Sequence, residues 1–359
     1  MTKIDVTWDQ ASTRRLLRAG LAAPLTADVA ETVAAMAGAH AQVMSAAEIS
    51  VGMRTAKAIG SDVPEALWES RTLVKTYGPR GTVHLLPATD FPAWLGALSA
   101  LPGNPNRFPD GIRLSAEQEA AGAQRCGDWA ADPVIPAFQP QNFWPRWRQA
   151  ISVAAHRGAL CFGPNRGRKV TYMSPGLSPS PTDESLAFVV RAYLTAYGPA
   201  TPANFAKWFG APPSWATKVF ADLRDSLTEV GFEGTTAYLA AHDTEFPDER
   251  PQGVRLLPYF DAYGVAGQPR DRLFPGPAAG RALNRGQAGN FPVLLRDGMA
   301  AGVWHLKKSG KKAQVTVEAL ADLDSAGLAE LHAQVDRIGA ILDVKPELVL
   351  DKVTVGPHA

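Results

Sequence analysis

"TLVKTYGPRGTVHLLP", residues 72–87, sets two β-rich runs on either side of a Gly-Pro-Arg-Gly turn. Threonine, valine, tyrosine and leucine suit a pleated, half-buried surface, and the Pro/Gly break between them is a hairpin signature. Thr82 and His84 fall on one face of the second run, Val83 and Leu85 on the other, so His84 is expected to point away from the local core. Upstream, residues 9–19 read as a first helix with Leu16 and Leu17 on its buried side. A second helix is expected from Thr26 as N-cap, with Val29, Val33 and Met36 recurring at i, i+4, i+7 until Gly38 ends the pattern. Ser45, followed three residues later by Glu48, reads as a capping box opening a third helix. In that helix Ile49, Met53 and Ala56 face inward, while Ser50, Arg54 and Lys57 face out. Three helices and a two-stranded wing make a winged helix, a helix-turn-helix variant whose third helix commonly enters a DNA groove. A generic α+β module fits the same pattern.

The unit returns downstream. Residues 182–197 form an expected helix with Leu186, Val190 and Tyr193 inward; Thr201 caps a second with Pro202 at its first position. A third follows, capped by Ser214, and "GFEGTTAYLA" (231–240) begins a wing. Between the two copies, 143–175 offers a helix and a Gly-turned hairpin, a less complete repeat. Such repetition suggests tandem modules packed side by side. Pro-rich joins at 101–112 and 174–182, and a change of texture near 250 to short strands and turns, divide the chain into 1–101, 102–181, 182–249 and a β-rich 250–359. A helix over 325–341, with Leu328, Leu331, Val335 and Ile338 at helical spacing, is expected to end it.

The 359 residues are too many for one ordinary core, and 46% hydrophobic with 20% charged residues describes a globular chain. A net charge of +1 excludes an overall basic footprint but not a local patch. Cys126 and Cys161 show neither CxxC nor metal spacing, which argues for a reducing cytosol and against a disulfide framework or structural zinc, and no cofactor is expected. The N-terminus lacks an apolar signal region and no run approaches the roughly 18 apolar residues of a membrane span, so a cytoplasmic chain with no membrane contact is expected.

Charge is distributed unevenly. Residues 133–182 contain no Asp or Glu, yet hold Arg146, Arg148, Arg157, Arg166, Arg168 and Lys169, with Phe143, Trp144 and Trp147 around the first two. That is a candidate nucleic-acid face, and each phosphate neutralised would steepen the salt dependence of binding by about 0.9 in the log–log slope. Lys307, Lys308, Lys311 and Lys312 form a second cluster in an expected β-turn, where lysines commonly serve solubility.

"AHAQVMSAAE" (39–48) followed by "GPRGTVHLLP" (78–87) resembles the AlkZ-like winged-helix DNA glycosylases of bacteria. The resemblance continues through 193–210, 256–263 and 293–304. Members share a Gln-x-Gln or Gln-x-Asp pair between the second and third helices and an Arg-Gly-Thr-x-His-Leu run in the first wing. Gln42 matches the second residue of the pair; His40 departs from the first. The resemblance implies an α+β fold of three tandem winged helices in a C-shape plus a C-terminal β-barrel-like domain. It also implies excision of N7-alkylated purines from double-stranded DNA, in some members bulky adducts or interstrand crosslinks left by genotoxic natural products, for repair or self-resistance.

An N7-alkylated guanine carries a positive charge, so its glycosidic bond is already weakened and no acid is needed to protonate the leaving base. What remains is to hold a water at C1′, and a carboxamide can do so without charge. Gln42 fits that role. His40 could hold the water while neutral or take its proton, in which case activity would rise with pH through its titration. No lysine in the pair's segment could attack C1′, so a monofunctional enzyme is expected; it is also expected to be a monomer. Ser45, Arg54, Lys57, Arg80, His84, Arg146, Arg148, Arg166, Arg168 and Lys169 are candidate DNA contacts, and His84 equally fits a place against the 39–48 loop or a hydrogen bond fixing wing to helix. Asp261 and Arg270 read as interdomain salt-bridging residues. A non-catalytic winged-helix DNA-binding protein, a regulator or damage-binding factor, is the alternative.

Overall fold

The computed structural model describes residues 4–57, 60–102 and 151–358, in which helices and strands mix in an α+β architecture. Strand β1 (Ile4–Val6) leads into helix α1 (Trp8–Arg18). Thr7 fixes the start of α1: its hydroxyl accepts from the Gln10 amide while the Gln10 side chain accepts from the Thr7 amide. Leu16 is buried as expected, whereas Leu17 is exposed. Helix α2 (Val29–Ala35) is capped by Asp28 and Glu31, not by Thr26. Strand β2 (Ala39–His40) and helix α3 (Met44–Arg54) follow, and no side chain caps α3, so the expected Ser45–Glu48 box does not form. A helix the hydrophobic pattern did not reveal, α4 (Asp62–Trp68), precedes the hairpin of β3 (Leu73–Tyr77) and β4 (Val83–Pro87), and α5 (Phe91–Ser99) succeeds it. The hairpin is joined by β2, giving the order β2-β4-β3 and aligning His40, His84 and Thr76 in one cross-strand row.

Beyond a helical stretch at 151–156, β5 (Cys161–Arg166) and β6 (Lys169–Met173) form a separate hairpin lying against β3. Tyr77 and Phe162 meet there with ring centroids 5.1 Å apart. The next copy follows its sequence closely, with helices Thr182–Tyr197, Pro202–Phe209 and Pro213–Asp222, then β7 (Leu227–Phe232) and β8 (Thr235–Ala240). Thr201 caps the middle helix in a box with Asn204, but Ser214 caps nothing because that helix already begins at Pro213. β1 adds to β7 in parallel. A five-stranded sheet, ordered β13-β12-β11-β10-β9, is built from β9 (Val254–Leu257), β10 (Val293–Arg296), β11 (Met299–Ser309), β12 (Lys312–Ala319) and β13 (Lys345–Leu350). The Ser325–Leu342 helix is therefore not the end of the chain; β13 follows it, parallel to β12. No helix among the described residues is long and apolar enough to cross a membrane.

The first and third helix–hairpin segments share one core, in which Val33, Met36, Leu85, Trp94 and Leu95 pack with Val189, Tyr193, Phe205 and Phe209. At roughly 1.5–3 kcal/mol for each large apolar side chain fully buried, that joint core binds the two segments tightly. A second core sets Ile49 and Met53 of α3 against Leu331, Val335, Ile338 and Ile341 of the Ser325–Leu342 helix. Gly52 makes that crossing possible, since a Cβ there would stand 2.8 Å from Ile341 Cδ1. Ser50 and Arg54, expected on the outer face of α3, are buried on its third side. Enclosed in this way, α3 can present only its N-terminal end to a ligand.

Candidate active site

The turn between β3 and β4 carries the site. Arg80 adopts a left-handed backbone, φ 59° and ψ 10°, which the flanking Gly78, Pro79 and Gly81 accommodate. This reversal sends its guanidinium inward, where Nη2 donates to His40 Nε2 at 2.9 Å and Nη1 donates to the Trp208 carbonyl. The turn docks on the C-terminal end of the Pro202–Phe209 helix, a favourable seat for a cation. Gly210, φ +86°, allows the contact: a Cβ would lie 2.8 Å from Arg80 Cα. Burial lowers Arg80 to about 10, with Tyr197 opposing and Arg270 adding to the shift, so it stays charged at neutral pH.

A guanidinium has no acceptor, so His40 Nε2 must accept and the His40 proton resides on Nδ1. That Nδ1–H is buried without a partner. His84 Nδ1 donates to the Thr82 carbonyl at 2.9 Å, and the two imidazoles face each other at 4.2 Å between centroids. Burial, then His84 and Arg80, hold His40 well below its usual pKa of 6.5; burial, then Arg80, push His84 down to about 3. Both rings are neutral at physiological pH. The basic nitrogen of His40 is occupied by Arg80, which leaves it no free lone pair for a water proton and removes the expected titration from the working pH range. His84 takes one of its expected places: it is 2% exposed and turned in against His40 of the 39–48 loop, not toward solvent or DNA.

Gln42 differs from both histidines. Ala41 N–H donates to the Val83 carbonyl at 2.8 Å, which holds the segment on the sheet. Gln42 itself is exposed, about 6–7 Å along the chain from His40. Its carboxamide makes no hydrogen bond to any described residue. Ser45 stands exposed in the first turn of α3 beside it.

The remaining candidates divide. Arg54 is no DNA contact: it is fully buried and forks onto Asp261, with Nη1 and Nη2 each 2.8 Å from a carboxylate oxygen. Ser50 adds a 2.7 Å hydrogen bond to the same carboxylate, which also accepts from the Tyr263 amide. Asp261 thus makes the salt bridge expected of it. Arg270 does not; it donates to the Gly264 and Val265 carbonyls and lies over the Phe274 ring. Lys57 is exposed, but past the opposite end of α3, a helix about 16 Å long. Arg166, Arg168 and Lys169 are exposed at the tip of the β5–β6 hairpin. Arg146 and Arg148, with Phe143, Trp144 and Trp147, lie outside the described residues. Lys307, Lys308, Lys311 and Lys312 are exposed around the β11–β12 turn, where Lys311 pairs with Asp343. Two features had no sequence signal: the Trp208 carbonyl as anchor for Arg80, and Lys75 placed 5.4 Å over the Phe162 ring. Among the described residues no group of three or more His, Cys, Asp or Glu could hold a metal.

The model of the family described as DNA glycosylase AlkZ-like matches residues 33–341, and the chain belongs to the AlkZ-like DNA glycosylase family. The match spans His40, Gln42, Arg80, His84 and the Arg54–Asp261 pair. The interstrand DNA cross-link repair glycosylase of Streptomyces sahachiroi is 30% identical over 338 residues, 84% of this chain and 89% of that protein. The solved structure of the Streptomyces sahachiroi DNA glycosylase AlkZ shares the fold, with a TM-score of 0.79 at 23% identity over 96% of this chain and 100% of that one.

Proposed function

We propose that this protein is a monofunctional DNA glycosylase that excises N7-alkylated purines from duplex DNA, with Gln42 holding the attacking water. One observation carries the reading: an exposed, uncommitted carboxamide beside a buried, neutral imidazole pair and a fixed arginine. In the reaction the C1′–N9 bond breaks and its electron pair leaves with the cationic base, which departs neutral. The oxocarbenium-like sugar is captured by the water, whose proton goes to solvent. Neither half needs a general acid, and positioning the water can supply several kcal/mol of the rate enhancement. Neutral His40 suits such a site, because an imidazolium would repel the developing sugar cation. His40 then serves as a positioning residue that sets Arg80. The 38–50 segment holds no lysine to attack C1′, so the reaction stops at an abasic site.

The helix–hairpin segments serve as winged helices around the duplex, the protein acting as a monomer. Ser45 and the exposed Arg166, Arg168 and Lys169, joined by Arg146 and Arg148, contact phosphates. Bulky adducts and interstrand crosslinks fall within the substrate range, a reading supported by the name of the Streptomyces sahachiroi relative. In the cell the activity serves DNA repair or self-resistance.

Duplex DNA containing N7-methylguanine or a bulkier N7 adduct, incubated with the protein and then treated with mild alkali, should break at the lesion. Gln42→Ala should abolish scission while leaving duplex binding nearly unchanged; equal loss of both would remove the role given to Gln42. The profile of excision should be flat from about pH 5.5 to 8, since His40 is already neutral throughout. Binding without scission for every adduct would support a non-catalytic DNA-binding protein, the reading that the burial of His40 favours.

A further inference from the structure

We propose that Glu48 is a further catalytic residue, a carboxylate that faces the substrate sugar from the same opening as Gln42 and stabilises the cation formed there. The inference rests on the proposed excision and on the place given to Gln42. Of the 11 residues of α3, all but Met44, Ser45 and Glu48 are buried. Ser45 and Glu48, three positions apart, share one helix face, with Cβ atoms about 5–6 Å from each other. Glu48 stands only about 6 Å along the axis from Met44, the first residue of α3, and Gln42 lies two residues before that. The opening that packing leaves on α3 therefore gathers a carboxamide, a hydroxyl and a carboxylate.

Glu48 is half-buried, yet its carboxylate makes no hydrogen bond or ion pair with any described residue. Carboxylates elsewhere in the interior are engaged: Asp261 by Arg54, Asp243 by Arg14 and Arg18, Glu318 by Arg281, and Glu330 by the Val254 amide. Lys75 does not pair with Glu48 and stands instead 5.4 Å over the Phe162 ring. Burial raises the Glu48 pKa while Lys308 and Lys75 oppose the rise, so the group stays ionised at neutral pH. An unpaired anion beside a phosphate-binding surface repels the duplex, and only a cation in the bound state offsets that repulsion. Excision of an N7-alkylated purine supplies one, on the base beforehand and on the sugar as C1′–N9 breaks. A carboxylate on the sugar side strengthens its hold as the bond breaks, and interactions that grow toward the transition state raise the rate. Glu48 forms no bond and takes no proton in this role.

The test uses the full chain, with Glu48→Gln and Glu48→Asp, and two duplexes carrying a stable sugar analogue at the lesion position. One analogue is a neutral tetrahydrofuran, the other a pyrrolidine that is cationic at neutral pH. Wild type should bind the pyrrolidine duplex about tenfold tighter, the scale of one partly screened charge pair. Glu48→Gln should lose that preference and bind the tetrahydrofuran duplex no more weakly, because an anion has left the phosphate surface. Glu48→Asp should keep part of the preference. At saturating DNA, Glu48→Gln should slow excision of N7-methylguanine about tenfold. No preference in wild type, a preference unchanged in Glu48→Gln, or equal weakening of both duplexes would overturn the role. A Glu48-dependent preference in a protein that excises no adduct would keep the cation site and remove the glycosylase.

Discussion

The helix–hairpin pattern is written twice over 8–87 and 182–240, and the two copies differ in what covers them. In the first, α3 is enclosed by the Ser325–Leu342 helix on one side and by Asp261 on another, so its Arg54 is an interior group. In the second, the Pro213–Asp222 helix buries only Ala216, Val219 and Phe220, and its Lys218–Asp222 pair lies in solvent. Each hairpin acquires an extra strand, but from opposite sides. β1 joins β7, the leading strand of its hairpin, and contributes Ile4–Val6; β2 joins β4, the trailing strand, and contributes His40. The turns also diverge: Glu233–Gly234 is a tight reversal, whereas 78–81 folds Arg80 inward. One local pattern thus yields a scaffold in one place and a candidate site in the other, according to the polar residues its third strand delivers.

The widest gap between the copies should appear on removing a cation from each third helix. Arg54→Met strands the Asp261 carboxylate in the core and should cost about 3–5 kcal/mol in denaturant unfolding. Lys218→Met should leave the unfolding midpoint where it was, because an exposed pair of this kind is screened by water. Equal shifts for the two variants would break the distinction.

A smaller effect belongs to acid. The folded-state pKa of His84 is about 3 against 6.5 unfolded, so only the unfolded chain takes up the proton in between. Stability from this group is complete above pH 6.5 and is lost as pH falls below it, by roughly 2 kcal/mol at pH 5. His84→Asn should make that limb shallower, leaving the share of His40, measured by urea midpoints from pH 7 to 5; an unaltered limb would place the proton uptake elsewhere. Next comes Gly210→Ala, which joins a left-handed backbone to a Cβ clash with Arg80 and should cost about 1–2 kcal/mol. It should also slow excision by displacing the turn, and a stability loss with unchanged excision would uncouple the copies. Least is Thr201→Ala, which removes one cap for about 1 kcal/mol.

What the residues disclosed follows the same division. The 72–87 hairpin and the 182–222 helices were legible because β-branched runs around Gly-Pro, and apolar residues at helical spacing, need no distant partner to be recognised. Gln42 stands out in sequence through its match to the family pair, and the structure leaves its side chain exposed. The inward turn of Arg54 was not legible, since on a helix of small residues an arginine looks like a surface group until Asp261 arrives from 207 positions away. His84 was legible only as alternatives for a similar reason: strand alternation separates two faces without saying what covers them, and here β2 brings His40 onto the His84 face. α4 escaped because seven residues, two of them acidic and one proline, show little periodicity. The α2 cap slipped by two positions, from Thr26 to Asp28, where either side chain could have served, whereas α3 and the Pro213–Asp222 helix start with no side-chain cap at all.

The chain leaves the shared core after α5 and returns at the Thr182–Tyr197 helix, and those two helices pack directly on each other. Ser180 N–H donates to the Pro92 carbonyl at 2.9 Å, closing the gap behind the departing strand of chain. Everything between is, in sequence terms, an excursion whose ends are already tied. Exchanges at the exposed Arg166, Arg168 and Lys169 can therefore be made without disturbing the contact of α5 with the Thr182–Tyr197 helix.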